Sequence, residues 1–460
     1  MSAPDLILAG GHLLTMNAGN DVLVDGAVAI AGGAILAVDT LEGLTERYPG
    51  TPVKHLPDTV LMPGLVNTHA HSGFLRGTAE HLPVWDWLTL HINPMHRMLQ
   101  PHEAKAASML CYAESVLGGT TTIVDMWRYM DGSAEAAETI GNRLVAVPYV
   151  GEHPDYDYFD TLDMNERLIE DWHRKADGRI NVWVGLEHLF YANEAGQQRA
   201  IDMAKKHDTG FHTHCSEAEI EVAEFEKRYG KRPMAVLEDL GFFETPRSMI
   251  AHAVWLDPSE VELISKRTVS VAHNPVSNMK LASGIAPIAD MLAAGVPVGI
   301  GTDGEKENNN FDMFEEMKVA SLLGKLKDRD AAAMDSWDVL RMATVGGAKA
   351  VGLDHEIGSI EPGKRADIIA VRADTPRMTP LFGSGPWFNL QHNLVHAVRG
   401  SDVDMTMIDG RIVVENGELK TGDLAAIIDE IHAVAPPLFE RRAKWLAENE
   451  SVQWNTESNG

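Results

Sequence analysis

Leu61-Met62-Pro63-Gly64-Leu65-Val66-Asn67-Thr68-His69-Ala70-His71 is an apolar, β-rich run that closes on two histidines. Residues two apart on a strand point to the same face, so His69 and His71 share one side. The texture recurs in Thr120–Met126, Leu144–Val150, Ile180–His188, Gly210–His214, Met249–Val254, Val269–His273 and Val296–Asp303. None of these runs alternates strictly with polar residues, as befits strands buried on both faces. Helical patterns fall between most of them: Pro101–Leu117, Glu194–Lys206, Ala218–Tyr229, Pro258–Lys266 and Ile285–Ala294. Eight strand–helix units in series predict an α/β fold, a (β/α)8 TIM barrel over residues 61–357. A doubly wound open sheet is the alternative. Its dinucleotide-binding form is disfavoured because no G-x-G-x-x-G follows the early runs.

The flanks read differently. Short β-like runs (Asp5–Met16, Val22–Ile30, Ala34–Val38) precede the barrel, and Ala366–Val371, Val395–Val398, Met405–Ile408 and Arg411–Val414 follow it. Gly10-Gly11, Gly32-Gly33 and Asp409-Gly410 stand where hairpin turns are expected. Residues 1–60 with 358–425 are therefore expected to form one small β-sandwich, and 426–460 a C-terminal helix and polar tail. The 460 residues carry a net charge of −28, which argues against nucleic acid or an anionic membrane surface as partner. No apolar run reaches the ~18 residues of a membrane span, and no basic residue precedes Leu6–Leu8 as a signal peptide requires. Two cysteines, Cys111 and Cys215, fit a reducing compartment. A cytoplasmic location is the expectation.

Function is written at the ends of the runs, where a barrel collects its catalytic groups. His69 and His71 close the first, Glu187-His188 the fourth and His212-Thr213-His214 the fifth, with Glu217 close behind; His252 and His273 mark the sixth and seventh, and Asp303 the eighth. His69, His71, His214 and Asp303 make a three-imidazole, one-carboxylate set suited to one divalent metal ion, Zn²⁺ first, Fe²⁺ or another divalent ion otherwise. Glu217, three residues past His214, is placed to shuttle a proton between an attacking water and a leaving nitrogen; a helix-capping acid is the bland reading. His252 is read as a partner of the reacting centre rather than a core histidine, His273 as structural at least as readily, and Cys215 as core.

Taken together, Asn67-Thr68-His69-Ala70-His71, His214-x-x-Glu217, Ala251-His252, Gly301-Thr302-Asp303-Gly304 and the stretch from Gly358 to Asp367 resemble the amidohydrolase superfamily, in its mononuclear deaminase branch. The resemblance implies the two-part architecture, one metal rather than two (no lysine ends the fourth run), and hydrolytic deamination: Asp303 takes a proton from water, Glu217 protonates nitrogen and His252 stabilises the tetrahedral centre. It is nearest to S-adenosylhomocysteine/methylthioadenosine deaminases, through Leu75–Glu80, Trp87-Leu88, Pro275–Gly284 and Asn308–Met317, and extends to the s-triazine hydrolases.

The departures bear on substrate. His96 aligns where the nucleoside enzymes place a glutamate for the ribose diol, and Pro148 where they carry an arginine. Glu187 precedes His188 in place of proline, and Glu305, Lys306 and Glu307 follow Asp303 in place of small residues. With Trp87, His96, Glu187, His188 and Glu307 as the substrate residues, the expectation is a small cationic, nitrogen-rich substrate such as a guanidine, a biguanide or an aminated heterocycle. An adenosine-type nucleoside and an s-triazine or phenylurea are the alternatives. Self-association to a homodimer or homotetramer is expected from Leu438, Phe439, Trp445 and Trp454.

Overall fold

The computed structural model describes residues 3–80, 82 and 86–449. Eight parallel barrel strands follow one another: Leu65–Ala70, Thr120–Trp127, Arg143–Pro148, the broken strand Ile180–Val182 plus Val184–His188, Gly210–Cys215, Arg247–His252, Val269–His273 and Val298–Ile300. The eighth strand pairs with the first at Ile300 and Asn67. The fourth closes the ring: Ile180–Val182 pairs with the third strand and Val184–His188 with the fifth. The backbone N–H of Trp183, at the break, still donates to Ala146. Helices Pro101–Leu117 and Glu194–Lys206 fall where the sequence puts them.

The strands of the two chain ends form one mixed, nine-stranded sheet. It curls on itself, since Ile35 and Gly33 hydrogen-bond Lys364 and Ala366 and one core cluster joins Leu8 and Val28 to Ile368 and Met407. The Gly32-Gly33 and Asp409-Gly410 turns are present, all four residues having positive φ, as a two-residue hairpin with this strand twist demands.

Four expectations are corrected. The run Leu61–His71 is two strands, because Val53–Pro63 belongs to the chain-end sheet and Leu65–Ala70 to the barrel. Gly64 separates them where a Cβ would lie 2.2 Å from Thr121 Cγ2. Gly10-Gly11 is a bulge inside the strand Leu6–Leu14 rather than a turn; a Cβ on Gly11 would meet the Pro57 carbonyl oxygen at 2.1 Å. Val395–Val398 is not a strand: Leu390–His396 is a helix, burying Leu390, Leu394 and Val395 at helical spacing. Of the four C-terminal residues expected to be exposed, the three described ones are at least partly covered within the chain. Leu438 is buried, Phe439 packs on the core and Trp445 is half-buried under Arg97; Trp454 lies outside the described residues. Among the described residues no helix is long and apolar enough to cross a membrane.

Candidate metal and catalytic site

The C-terminal ends of the barrel strands bring His69, His71, His214 and Asp303 together. His71 Nε2 lies 3.1 Å from His214 Nε2, and Asp303 Oδ1 lies 3.4 Å from His69 Nε2 and 3.2 Å from His71 Nε2. The outer nitrogens fix what faces inward. His71 Nδ1 is 2.6 Å from the Met126 carbonyl and His214 Nδ1 is 2.6 Å from the Glu187 carbonyl. A carbonyl only accepts, so both Nδ1 atoms carry the hydrogen and both Nε2 atoms present lone pairs. His69 Nδ1 donates to His212 Nε2 at 2.8 Å, and His212 Nδ1 donates in turn to the Met249 carbonyl at 3.0 Å. His69 Nε2 is buried without a hydrogen-bond partner. Burial holds all three imidazoles below their ordinary range, in the neutral form that binds metal. Three converging lone pairs beside a carboxylate would repel one another; the donor set fits one divalent ion between them.

A neighbouring trio, Glu187, His188 and His214, does not make a second metal site. His214 Nδ1 is engaged by the Glu187 carbonyl. His188 Nδ1 lies 2.9 Å from Glu187 Oε2; burial pulls this imidazole down, but Glu187 outweighs burial and raises it to about 9, an imidazolium at neutral pH.

Glu217 and His252 stand over the metal set. His252 Nε2 is 3.8 Å from Glu217 Oε2 and 3.9 Å from Asp303 Oδ2, and its Nδ1 lies 2.9 Å from Asn278 Oδ1. Glu217 accepts from Ser283 Oγ at 3.2 Å, and burial raises its carboxyl. It does not cap the following helix. Glu221, in the first turn of that helix, reaches back to the loop ahead of it and accepts from the N–H groups of Ser216 and Glu217. His252 and Asp303 hold φ of 75° and 60°, left-handed conformations that cost about 1–3 kcal/mol each and that proteins retain mostly at functional sites.

The cleft wall includes Trp87, Leu88, Tyr149, Glu187, His188, Leu281 and Glu307. Among the described residues Trp87 Nε1 is buried without a hydrogen-bond partner. His96 is not brought to the cleft; it lies behind Tyr149, stacked at 4.8 Å, with Trp127 and Phe159 around it. The added carboxylates each have a partner within the protein, although among the described residues Glu305 Oε2 and Glu307 Oε2 are buried without a hydrogen bond. Glu187 accepts from Tyr149 Oη at 3.0 Å and pairs with His188. Glu307 Oε1 is 3.0 Å from Lys306 Nζ, and burial pushes the Glu307 carboxyl up to about 8. Glu305 is buried too, accepting from the Leu75 N–H. His273 is buried below His252, and burial lowers it to about 3.

Several supporting residues went unassigned in the sequence. Asp125 accepts from the Ser72 N–H, Ser72 Oγ and Tyr112 Oη, bracing the strand end that carries His71. Ser277 donates to Asp303 Oδ2 at 2.7 Å. His212 had a visible signal, lying two residues before His214 and so on the same strand face. Replacing the acceptor of a ligand's outer N–H typically weakens metal binding by roughly 10–100-fold. His212→Phe is expected to do so, read as zinc affinity by competition with a chelator; unchanged affinity would reduce His212 to core packing.

Comparison with known proteins gives the same frame. Residues 60–413 match the model of the amidohydrolase family. The chain is 36% identical over 443 residues to a 5-methylthioadenosine/S-adenosylhomocysteine deaminase of Thermoanaerobacter pseudethanolicus, covering 95% of this chain and 100% of that one. It is 36% identical over 440 residues to a 5′-deoxyadenosine deaminase of Methanosarcina acetivorans, covering 95% and 99%. A crystal structure of an adenosine deaminase from Xanthomonas campestris with bound zinc superposes with a TM-score of 0.90 at 32% identity, covering 95% of this chain and 99% of that one. With its barrel, its His/Asp cluster and this match along nearly its whole length, the chain belongs to the amidohydrolase family and is a hydrolase of non-peptide C–N bonds.

Proposed function

We propose that the protein is a zinc-dependent hydrolytic deaminase of an adenosine-type nucleoside, one modified or reduced at the 5′ carbon, and that it converts the C–NH2 group and water into a carbonyl and ammonia. The observation that carries this reading is full-length similarity to deaminases of such nucleosides, joined to a cleft in which each expected acid–base residue stands at the metal set. His69, His71, His214 and Asp303 would hold a divalent ion, which would lower the pKa of water and so supply a nucleophile at neutral pH. Asp303, held by Ser277, takes one proton from the attacking water. His252, its Nδ1–H on Asn278, offers Nε2 to the water's other hydrogen and so orients the attack. Glu217 delivers a proton to the ring nitrogen; its raised carboxyl suits an acid near neutrality. The proton taken up by Asp303 then passes to the amino group, so that ammonia departs, and the hydrogen left on the new carbonyl oxygen returns to Glu217. The Trp87 N–H in the wall, without a hydrogen-bond partner among the described residues, suits a ring rich in acceptor nitrogens.

The cationic-substrate expectation yields to this reading. It rested on unmatched carboxylates, whereas Glu187 is paired with His188, Glu307 meets Lys306 through one oxygen, and the full-length relatives act on nucleosides. Its test is ammonia release by the zinc-loaded enzyme from adenosine, 5′-deoxyadenosine, methylthioadenosine, melamine, creatinine and a biguanide, side by side. The expected order puts a nucleoside first in kcat/KM by at least ~10-fold, the scale of one hydrogen bond to a charged group. A biguanide or creatinine in first place would restore the cationic reading.

A further inference from the structure

The helix Leu424–Glu448 contains Pro436 and Pro437. Neither has an N–H, so the helix lacks two of its internal bonds there and the turns beyond must be held by their own contacts. Those turns carry Leu438, Arg441, Arg442 and Trp445, spaced i, i+3, i+4, i+7 on one helical face. They hold the chain that surrounds and follows the cleft wall, and Arg442 reaches the wall turn itself. Leu438 is 1% exposed and fills an apolar hollow with Phe74, Leu75, Met95 and Trp127. Arg441 donates to the Met98 carbonyl at 3.3 Å and to Glu103, whose other oxygen accepts from the Gln100 N–H. Trp445 lies under the Arg97 guanidinium at 5.5 Å. Arg442 donates to the Leu90 carbonyl at 2.8 Å.

Leu90 belongs to Trp87–Ile92, one π-helical turn whose Trp87 and Leu88 line the metal cleft. Such single turns are rare and intrinsically weak, and they occur mostly where function requires them. This one is braced from one side by His91 Nε2 on Thr78 Oγ1 at 2.8 Å and from the other by Arg442. Burial, with Arg442 and Lys306 adding to it, lowers His91 to about 4, so it stays neutral and carries no competing charge.

We propose that Arg442 is a positioning residue for the substrate site: by holding the Leu90 carbonyl it fixes the Trp87–Ile92 turn as the wall of the cleft, so that the C-terminal helix sets substrate affinity without touching substrate. The proposal rests on the cleft being the substrate site and not on which nucleoside fills it. Two readouts on Arg442→Ala, with Arg442→Lys as the conservative variant, test it. The first is amide hydrogen exchange of the zinc-loaded protein without substrate. Exchange across residues 86–93 is expected to rise ~10-fold, the scale of one hydrogen bond from a charged donor, with the barrel strand 120–127 unchanged and the lysine variant largely protected. The second is adenosine kinetics: KM is expected to rise ~10-fold and kcat to hold within ~2-fold. Unchanged exchange at 86–93, a rise spread evenly over the barrel, or a fall in kcat at constant KM would each overturn it. Failure of every nucleoside as substrate would refute the proposed function and leave the exchange result to decide this one.

Discussion

Glu217→Gln is expected to keep its metal and lose at least ~100-fold in turnover, the usual scale for a positioned acid–base group. The amide retains the shape of the side chain and its contact with Ser283, but it cannot give or take a proton at the reacting nitrogen. Because the Glu217 carboxylate meets Ser283 and His252 rather than the helix Glu219–Tyr229, and Glu221 holds the Ser216 and Glu217 N–H groups ahead of that helix, the substitution leaves the helix start intact. Thermal stability is therefore expected to stay within ~0.5 kcal/mol, as for changes that break no structural feature. Turnover within ~3-fold of the parent, with zinc content unchanged, would remove Glu217 from the proton path; wild-type exchange rates across the site would confirm that the geometry survived.

Stripping the metal is expected to have the largest effect of all. With His71 Nε2 and His214 Nε2 3.1 Å apart and the His69 nitrogen unpartnered, the empty set holds converging lone pairs that only a cation reconciles. Dialysis against a chelator is expected to bring ammonia release to background, and about one equivalent of zinc per chain to restore it. Thermal stability is expected to fall on stripping: at a thousandfold excess of free ligand over Kd, binding to the native state alone contributes about 4 kcal/mol. Full activity requiring two equivalents would contradict the one-ion reading, which rests on His214 Nδ1 being engaged by the Glu187 carbonyl.

What the sequence made legible follows from geometry that needs no tertiary knowledge. Two-residue spacing puts His69 and His71 on one strand face, and the rule that barrels collect chemistry at strand ends gathers His214, Glu217, His252 and Asp303 into one site. The illegible parts depend on what packs against what. Gly64 looks like any glycine in an apolar run until Thr121 is found beside it. Val395–Val398 is too short for its periodicity to separate strand from helix. His96 aligned with a substrate residue, yet stacking on Tyr149 takes it out of the cleft. The largest misreading concerned charge. Glu187 and Glu307 counted as unmatched because a sequence does not show that His188 and Lys306 turn towards them. Likewise Leu438 and Trp445 read as exposed until the C-terminal helix is seen lying against residues 90–103.

Hydrolytic removal of an amino group at the His69, His71, His214 and Asp303 centre can be followed by running the zinc-loaded enzyme on 5′-deoxyadenosine in heavy-oxygen water and measuring the product and ammonia together. One labelled oxygen at the former amino carbon is expected for each ammonia released, with the sugar–base bond intact, and neither product from the Glu217→Gln enzyme above ~1% of the parent rate. Cleavage of the sugar–base bond, or ammonia without label in the ring, would contradict it.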